Sequence, residues 1–366
     1  MQPYNIGRWV ILILFVGVMA FLVGGMYWMA KGIMIASKSL NSQYSEIIKI
    51  QNYPYYHERF NELLMDSNKI CASGGKDDFY VWMNDAYLKS GVRMPGKEKL
   101  NLKELLQAEK DELGQIKDKV KRAKAETELG AWLHMLVKTT ITKFSLDRGY
   151  EFYSVIQSGE RQCLLQSVLI AALLQEMGVD AGIEMVYKNP EGQLSNNGHV
   201  ITLIKLPTGR DIIVDASHQE PFARHGGLLV KTQDYTYVTP VYKYKSPEII
   251  SYRATSDGHT IATSLVSFLD YGFARSQFMF YRGERVVGGL LSRNPTKEGL
   301  TASANYLEQS VKFCPKNPLA VYTLGRTYRA LGRNDEALTQ FQLAVKLYKD
   351  FGWIPDGPRD ALNRRR

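Results

Sequence analysis

Residues 159–181 read GERQCLLQSVLIAALLQEMGVDA. Cys163 stands directly in front of an apolar run, residues 164–177, that predicts a buried helix ended by Gly178. A small thiol can sit in a core there without consequence. A nucleophile can sit there too, because the free N–H groups and dipole of a helix start favour a thiolate. What the rest of the chain brings to this cysteine decides between them. Upstream, ELGAWLHMLVKTTI (128–141) carries Leu129, Trp132, Leu133, Leu136, Val137 and Ile141 on one stripe, which predicts a core-packed helix. Downstream, GIEMVY (182–187), HVITLIKL (199–206) and DIIVDAS (211–217) are rich in β-branched residues, with the turn Pro207-Thr208-Gly209 between the last two. The order helix, helix, strand, strand, strand predicts an α+β fold with an antiparallel sheet.

Two more residues stand out on that frame. His199 opens the second strand, straight after the polar loop SNNG, and Asp215 ends the third. A short turn joins the two strands, so they are expected to pair with His199 and Asp215 side by side. Cysteine chemistry needs such a set. A thiolate attacks a carbonyl, an imidazole takes the thiol proton and later delivers it to the leaving group, and a carboxylate fixes the imidazole tautomer. Each residue alone is usually structural; their joint occurrence, order and spacing point to chemistry.

On these residues the chain resembles the transglutaminase-like superfamily of cysteine enzymes, over about residues 126–220. The match lies in SGERQC followed by LLQSVLIAALLQEM and GVDA, then Gly198-His199 in NNGHVITLI, then IIVDAS. The resemblance implies a papain-like core with Cys163 as nucleophile, His199 as general base and acid, and Asp215 as the orienting residue. Gln157 and Gln162 are candidate oxyanion donors. Two positions depart from the family pattern. Gln162 precedes the nucleophile where the family commonly has glycine, and Val200-Ile201 follow the histidine where an aromatic is usual. No cofactor is expected. His134 and His218 read as structural or surface residues.

Bulk properties bound the alternatives. The 366 residues, 45% hydrophobic and 23% charged, are ordinary globular material sufficient for two or three compact units. The net charge of +9 suits acidic surfaces, yet no basic block with interleaved aromatics appears, so no nucleic acid is expected as a partner. Cys71, Cys163 and Cys314 are odd in number and far apart, and no Cys-x-x-Cys or Cys/His cluster exists. The pattern predicts neither a disulfide framework nor a metal site.

Residues 9–30, WVILILFVGVMAFLVGGMYWMA, hold no charge over 22 positions, with Trp9, Tyr27 and Trp28 near the ends. As a helix the run would be about 33 Å long, enough to span a bilayer. A single-pass N-terminal membrane anchor is the expectation, with a cleaved signal peptide as the competing reading. Arg8 before the run and Lys31, Lys38 and Lys49 after it favour a cytoplasmic C-terminal side; a large domain after the span favours export, and an extracytoplasmic domain is the expectation taken.

Residues 97–125 place leucines at helical spacing on a Lys/Glu background, as one or two exposed amphipathic helices. Residues 318–351 carry Leu324-Gly325, Tyr328, Gly332, Ala337, Phe341 and Ala344. Their spacing resembles a tetratricopeptide repeat, preceded by a degraded one, over about residues 285–351. The expected organisation is therefore an anchor (1–31), a helical linker (32–125), a transglutaminase-like domain (126–282), and a tetratricopeptide-like helical region with a basic tail (283–366). The expected fold class is α+β, a papain-like transglutaminase core with an antiparallel sheet between one transmembrane helix and a helical C-terminal region. The expected function is a membrane-anchored cysteine peptidase or amidase acting on a protein or peptide, with protein cross-linking less favoured. The alternative from another class is a catalytically silent scaffold whose tetratricopeptide-like region docks a protein partner in a membrane-associated assembly.

Overall fold

Four helices lead into the sheet: α1 (Glu58–Cys71), α2 (Lys76–Lys89), α3 (Leu102–Gln115) and α4 (Lys119–Thr140). The computed structural model describes residues 52–71 and 76–363. Asn101 starts α3 with a reciprocal cap: its side chain accepts from the Glu104 N–H, and the Glu104 carboxylate accepts from the Asn101 N–H, each at 3.0 Å. Leu102, Leu105, Leu106 and Leu113 form the buried stripe of α3. In α4 the stripe Leu129, Leu133, Leu136 and Val137 is buried, as the spacing predicts.

A parallel pair, β1 (Lys143–Phe144) with β2 (Glu160–Arg161), brackets α5 (Phe152–Ser158). Gly159 ends α5 in the left-handed region at φ 65°, turning the chain directly into β2. Next comes α6 (Cys163–Glu176), the apolar helix of the opening stretch. Residues 163–175 of it are all buried, because the helix is covered by neighbours on every side. The strands follow: β3 (Ala181–Lys188), β4 (Leu194–Leu206), β5 (Arg210–Val214), β6 (Gly227–Lys231), β7 (Tyr235–Tyr242), β8 (Ile249–Ala254) and β9 (Thr260–Ile261). Their hydrogen-bonded order is β5-β4-β3-β6-β7-β8-β9. The strand β8 also pairs back onto β5, through Asp211 and Ile249.

That last pairing closes a six-stranded antiparallel barrel, with β9 on its edge. The expected papain-like transglutaminase core is corrected on this point: the strands enclose a barrel. Alternation along the strands fills two cores. Val186, Ile201, Leu203, Ile213, Leu228, Val230, Val238 and Tyr252 pack together inside the barrel. Met185, Val200, Ile204, Ile212, Val214 and Leu229 face outward into a second core shared with the helices.

The expected single-pass anchor is also corrected. Among the described residues no helix is long and apolar enough to cross a membrane. The helix α4 has 22 residues but carries Lys119, Lys121, Arg122, Lys124, Glu126, Glu128 and Lys138 along it. The run 9–30 lies outside the described residues, and the membrane localisation drawn from it is withdrawn.

The C-terminal helices are α7 (Tyr271–Glu284), α8 (Lys297–Phe313), α9 (Pro318–Ala330), α10 (Asn334–Asp350) and α11 (Asp356–Asn363). At Gly325 a Cβ would come within 2.9 Å of the Phe341 ring, so the absent side chain sets how closely α9 and α10 approach. This region packs on the barrel. The Tyr237 N–H donates to the Phe351 carbonyl at 2.8 Å, and the Tyr187 and Trp353 rings meet at 4.8 Å.

Two carboxylates break the apolar pattern of the barrel: Asp211, which is paired with Lys205 and the Tyr252 hydroxyl, and Glu184. Glu184 is fully buried on β3, and neither carboxylate oxygen has a hydrogen-bond partner among the described residues. Burial raises its pKa well above the usual range; Lys205 opposes that and Asp211 adds to it. The folded state therefore binds this proton more tightly than the unfolded chain does. Stability falls as pH rises from the unfolded carboxyl value, about 4.3, towards the folded one. Glu184→Gln removes that slope. Its Tm relative to the parent is expected to climb as pH rises above the unfolded carboxyl value of about 4.3; parallel Tm–pH curves would show that the carboxyl is not buried in this way.

Candidate active site

Cys163 is the first residue of α6. Gln162 before it is extended, at φ −144° and ψ 165°, and makes no side-chain cap bond, so the first N–H groups of the helix are left near the thiol. Two hydrogen bonds fix α6 on the sheet. Ser167 Oγ donates to the Val200 carbonyl at 2.8 Å, and Thr202 Oγ1 donates to the Ser167 carbonyl at 2.9 Å.

His199 sits on β4 immediately after Gly198, whose φ is 65°. A Cβ there would lie 2.6 Å from Met185 Cε and 3.0 Å from Leu319 Cδ2. Both the backbone angle and the close approach require glycine. The β4–β5 register, with Thr202 opposite Val214, carries His199 to Asp215 just beyond the end of β5. His199 Nε2 lies 2.9 Å from Asp215 Oδ2. Asp215 Oδ1 accepts from the Ser217 N–H at 2.8 Å, and the carboxylate is 2% exposed. His199 interacts in turn with the Cys163 side chain, and each shifts the other's protonation. The structure thus brings Cys163, His199 and Asp215 into one chain of contacts. With Nε2 turned to the carboxylate, Nδ1 is the nitrogen left for the thiol.

The electrostatics follow from that chain. Burial pushes the Cys163 thiol up, but the hydrogen bond and charge of His199 outweigh burial and hold it below its ordinary value. Burial would lower His199; its bonds to Asp215 and Cys163 override this and raise it to about 10. Asp215, though buried, is held well below the usual carboxylate range by the hydrogen bonds from His199 and His225. These directions favour a thiolate–imidazolium pair at neutral pH.

The two candidate oxyanion donors part company. Gln157 is exposed on α5 and makes no hydrogen bond to the site. Gln162 is buried beside Tyr281, and its Oε1 has no hydrogen-bond partner among the described residues. Tyr281 on α7 places its hydroxyl 3.9 Å from Cys163 Sγ. Burial and the charge of Cys163 keep the phenol protonated, and its O–H donates to the Gly198 carbonyl at 3.4 Å beside the thiol. His134 is buried on α4 with Nε2 3.2 Å from the His218 carbonyl, which also accepts from Lys138 Nζ at 2.6 Å. These contacts brace the loop after Asp215.

Sequence reading missed two residues at this site. His225 places Nε2 3.0 Å from the same Asp215 Oδ2 that His199 meets. Its one sequence signal is position, beside Gly226-Gly227 in the segment after Asp215. Tyr281 arrives from a helix 118 residues from Cys163 and has no local signal. Donor atoms of His199, Asp215 and His225 lie within 4.8 Å of one another, as metal ligands would. Each imidazole Nε2 meets Asp215 Oδ2 at hydrogen-bond distance, 2.9 and 3.0 Å, so the three residues are joined by shared protons.

No family model matches the chain, and no curated protein matches it. Among solved structures it is similar to menin, described as a crystal structure that reveals the binding site for Mixed Lineage Leukemia (MLL) protein. The TM-score is 0.42 and the identity 11%, with 89% of this chain and 64% of that chain covered.

Proposed function

We propose that this protein is a cysteine enzyme that breaks amide bonds of a protein or peptide through Cys163, His199 and Asp215. The observation that carries the reading is the thiol at the start of α6, lowered by a histidine whose Nε2 is itself 2.9 Å from a buried carboxylate. The Cys163 thiolate attacks the amide carbonyl carbon. The helix-start N–H groups stabilise the oxyanion, and the Tyr281 O–H turns to it from its long 3.4 Å bond to the Gly198 carbonyl. The His199 imidazolium gives its proton to the departing amine, and a thioester to Cys163 remains. Neutral His199 then takes a proton from water, whose oxygen attacks the thioester; the acid leaves and the thiolate–imidazolium pair is restored. Acyl transfer to an amine differs only in the acceptor. The sequence resemblance to the transglutaminase-like superfamily around these residues supports this chemistry and says nothing of the barrel.

The test uses iodoacetamide at limiting dose on the intact protein, with each cysteine followed by mass spectrometry. Burial pushes the Cys314 thiol up to about 11. At pH 7 Cys163 is expected to react at least about 100-fold faster than Cys314, which follows from its larger thiolate fraction. Activity on amide substrates should rise as pH climbs through the lowered thiol value and fall as His199 loses its proton near 10. Equal labelling of the two cysteines would remove the basis of the proposal.

A further inference from the structure

His225 lies in the segment between β5 and β6, 2% exposed. Its backbone carbonyl accepts from the Tyr242 hydroxyl at 2.9 Å, which ties the segment to β7. Its Nε2 meets Asp215 Oδ2 at 3.0 Å, beside the His199 Nε2 contact at 2.9 Å on the same oxygen. The two rings lie 5.6 Å apart. A carboxylate oxygen has two lone pairs, and here two imidazole N–H groups occupy them. The other oxygen is held by the Ser217 N–H. Three donors therefore fix the plane of the carboxylate and share its charge. His225 Nδ1 has no hydrogen-bond partner among the described residues, so the ring's one polar commitment through its side chain is to Asp215.

We propose that His225 is a positioning residue for the catalytic carboxylate: by sharing Asp215 Oδ2 with His199, it orients that oxygen and limits how strongly it holds the His199 proton. The inference rests on the triad reading above. Its consequence for catalysis is a balance. An imidazolium held too tightly by its carboxylate is a poor acid towards the leaving amine, and one held too loosely does not sustain the thiolate. Other charged or titratable groups face the pair. Cys163 of α6 and Tyr281 of α7 stand on the thiol side. His134 and Lys138 of α4 and Arg161 of β2 lie on the Asp215 side, with Glu220 close to Lys138. None of these donates to Oδ2, so the division of that oxygen belongs to the two histidines.

The test is the pH dependence of Cys163 alkylation by iodoacetamide in the full chain, which needs no substrate. In the parent a lower step reports formation of the thiolate, and an upper step reports loss of the His199 proton. His225→Phe keeps a ring of similar size and removes the donor. The upper step is expected to move up by about one unit, the scale of one hydrogen bond to a charged group. His225→Gln keeps an N–H for Oδ2, and its upper step is expected to stay within about 0.3 units of the parent. Should H225F fail to fold, H225A with and without added imidazole replaces it, the added ring returning the step towards the parent. An unmoved step in H225F, equal shifts in H225F and H225Q, or no imidazole effect in folded H225A overturns the inference. A parent profile with a single step at the ordinary cysteine value would instead overturn the triad reading itself.

Discussion

Replacing Asp215 by Asn is expected to lower amide turnover by about 10⁴ with the fold retained, because the histidine loses the carboxylate that sets its tautomer and charge. In this protein the substitution acts on three contacts at once. His199 and His225 both donate to Oδ2, and the Ser217 N–H donates to Oδ1. An amide carries one acceptor oxygen, so either the two imidazole N–H groups or the Ser217 N–H would face an NH₂ group. The His199 value of about 10 depends on the carboxylate, as does the thiolate that His199 sustains. Alkylation of Cys163 at neutral pH should therefore fall together with turnover. Circular dichroism and Tm separate this from unfolding. A variant that turns over and alkylates like the parent would remove Asp215 from the mechanism.

The largest effect on stability is expected at Glu151. Arg282 of α7 donates from Nε to Glu151 Oε1 at 2.7 Å and from an Nη to Oε2 at 2.9 Å. Both residues are buried, and Glu151 precedes α5 while Arg282 directly follows Tyr281. Burial opposes the charge on Arg282, and the Glu151 bonds more than restore it. Glu151→Ala leaves that guanidinium buried without its partner, and a loss of about 3–5 kcal/mol is expected. Few single changes cost a domain so much of its total stability. Replacing both residues with apolar ones of similar size, Glu151→Leu with Arg282→Met, should recover most of the loss. Urea unfolding of the single and double variants measures this; a single variant within about 1 kcal/mol of the parent would show that the pair is solvated.

The two charged clusters differ in how visible they are along the chain. His199 and Asp215 lie 16 residues apart, on strands joined by Pro207-Thr208-Gly209. A short turn fixes register, so their proximity is legible in the spacing itself. Cys163 is legible as a helix start because Gly159, the apolar run and Gly178 mark both ends. Glu151 and Arg282 are separated by 131 residues, and each looks like an ordinary surface charge. Glu184 stands in GIEMVY among strand-forming residues, where alternation alone suggests a solvent-facing side. The barrel makes that side an interior, because β8 returns to β5.

The sequence alone therefore determined the local elements around the site: the helix that begins at Cys163, the hairpin that bears His199 and Asp215, and the paired helices over 318–350. Each is encoded by periodicity, turn residues and caps within a few turns of chain. Only the tertiary structure decided that the strands close into a barrel, that His225 shares Asp215 Oδ2 with His199, that Tyr281 reaches the thiol and that Glu184 is enclosed. Those contacts join segments far apart in the chain. Bringing such segments together depends on the burial and packing of the whole molecule, and it leaves no period in the sequence by which either partner could be found.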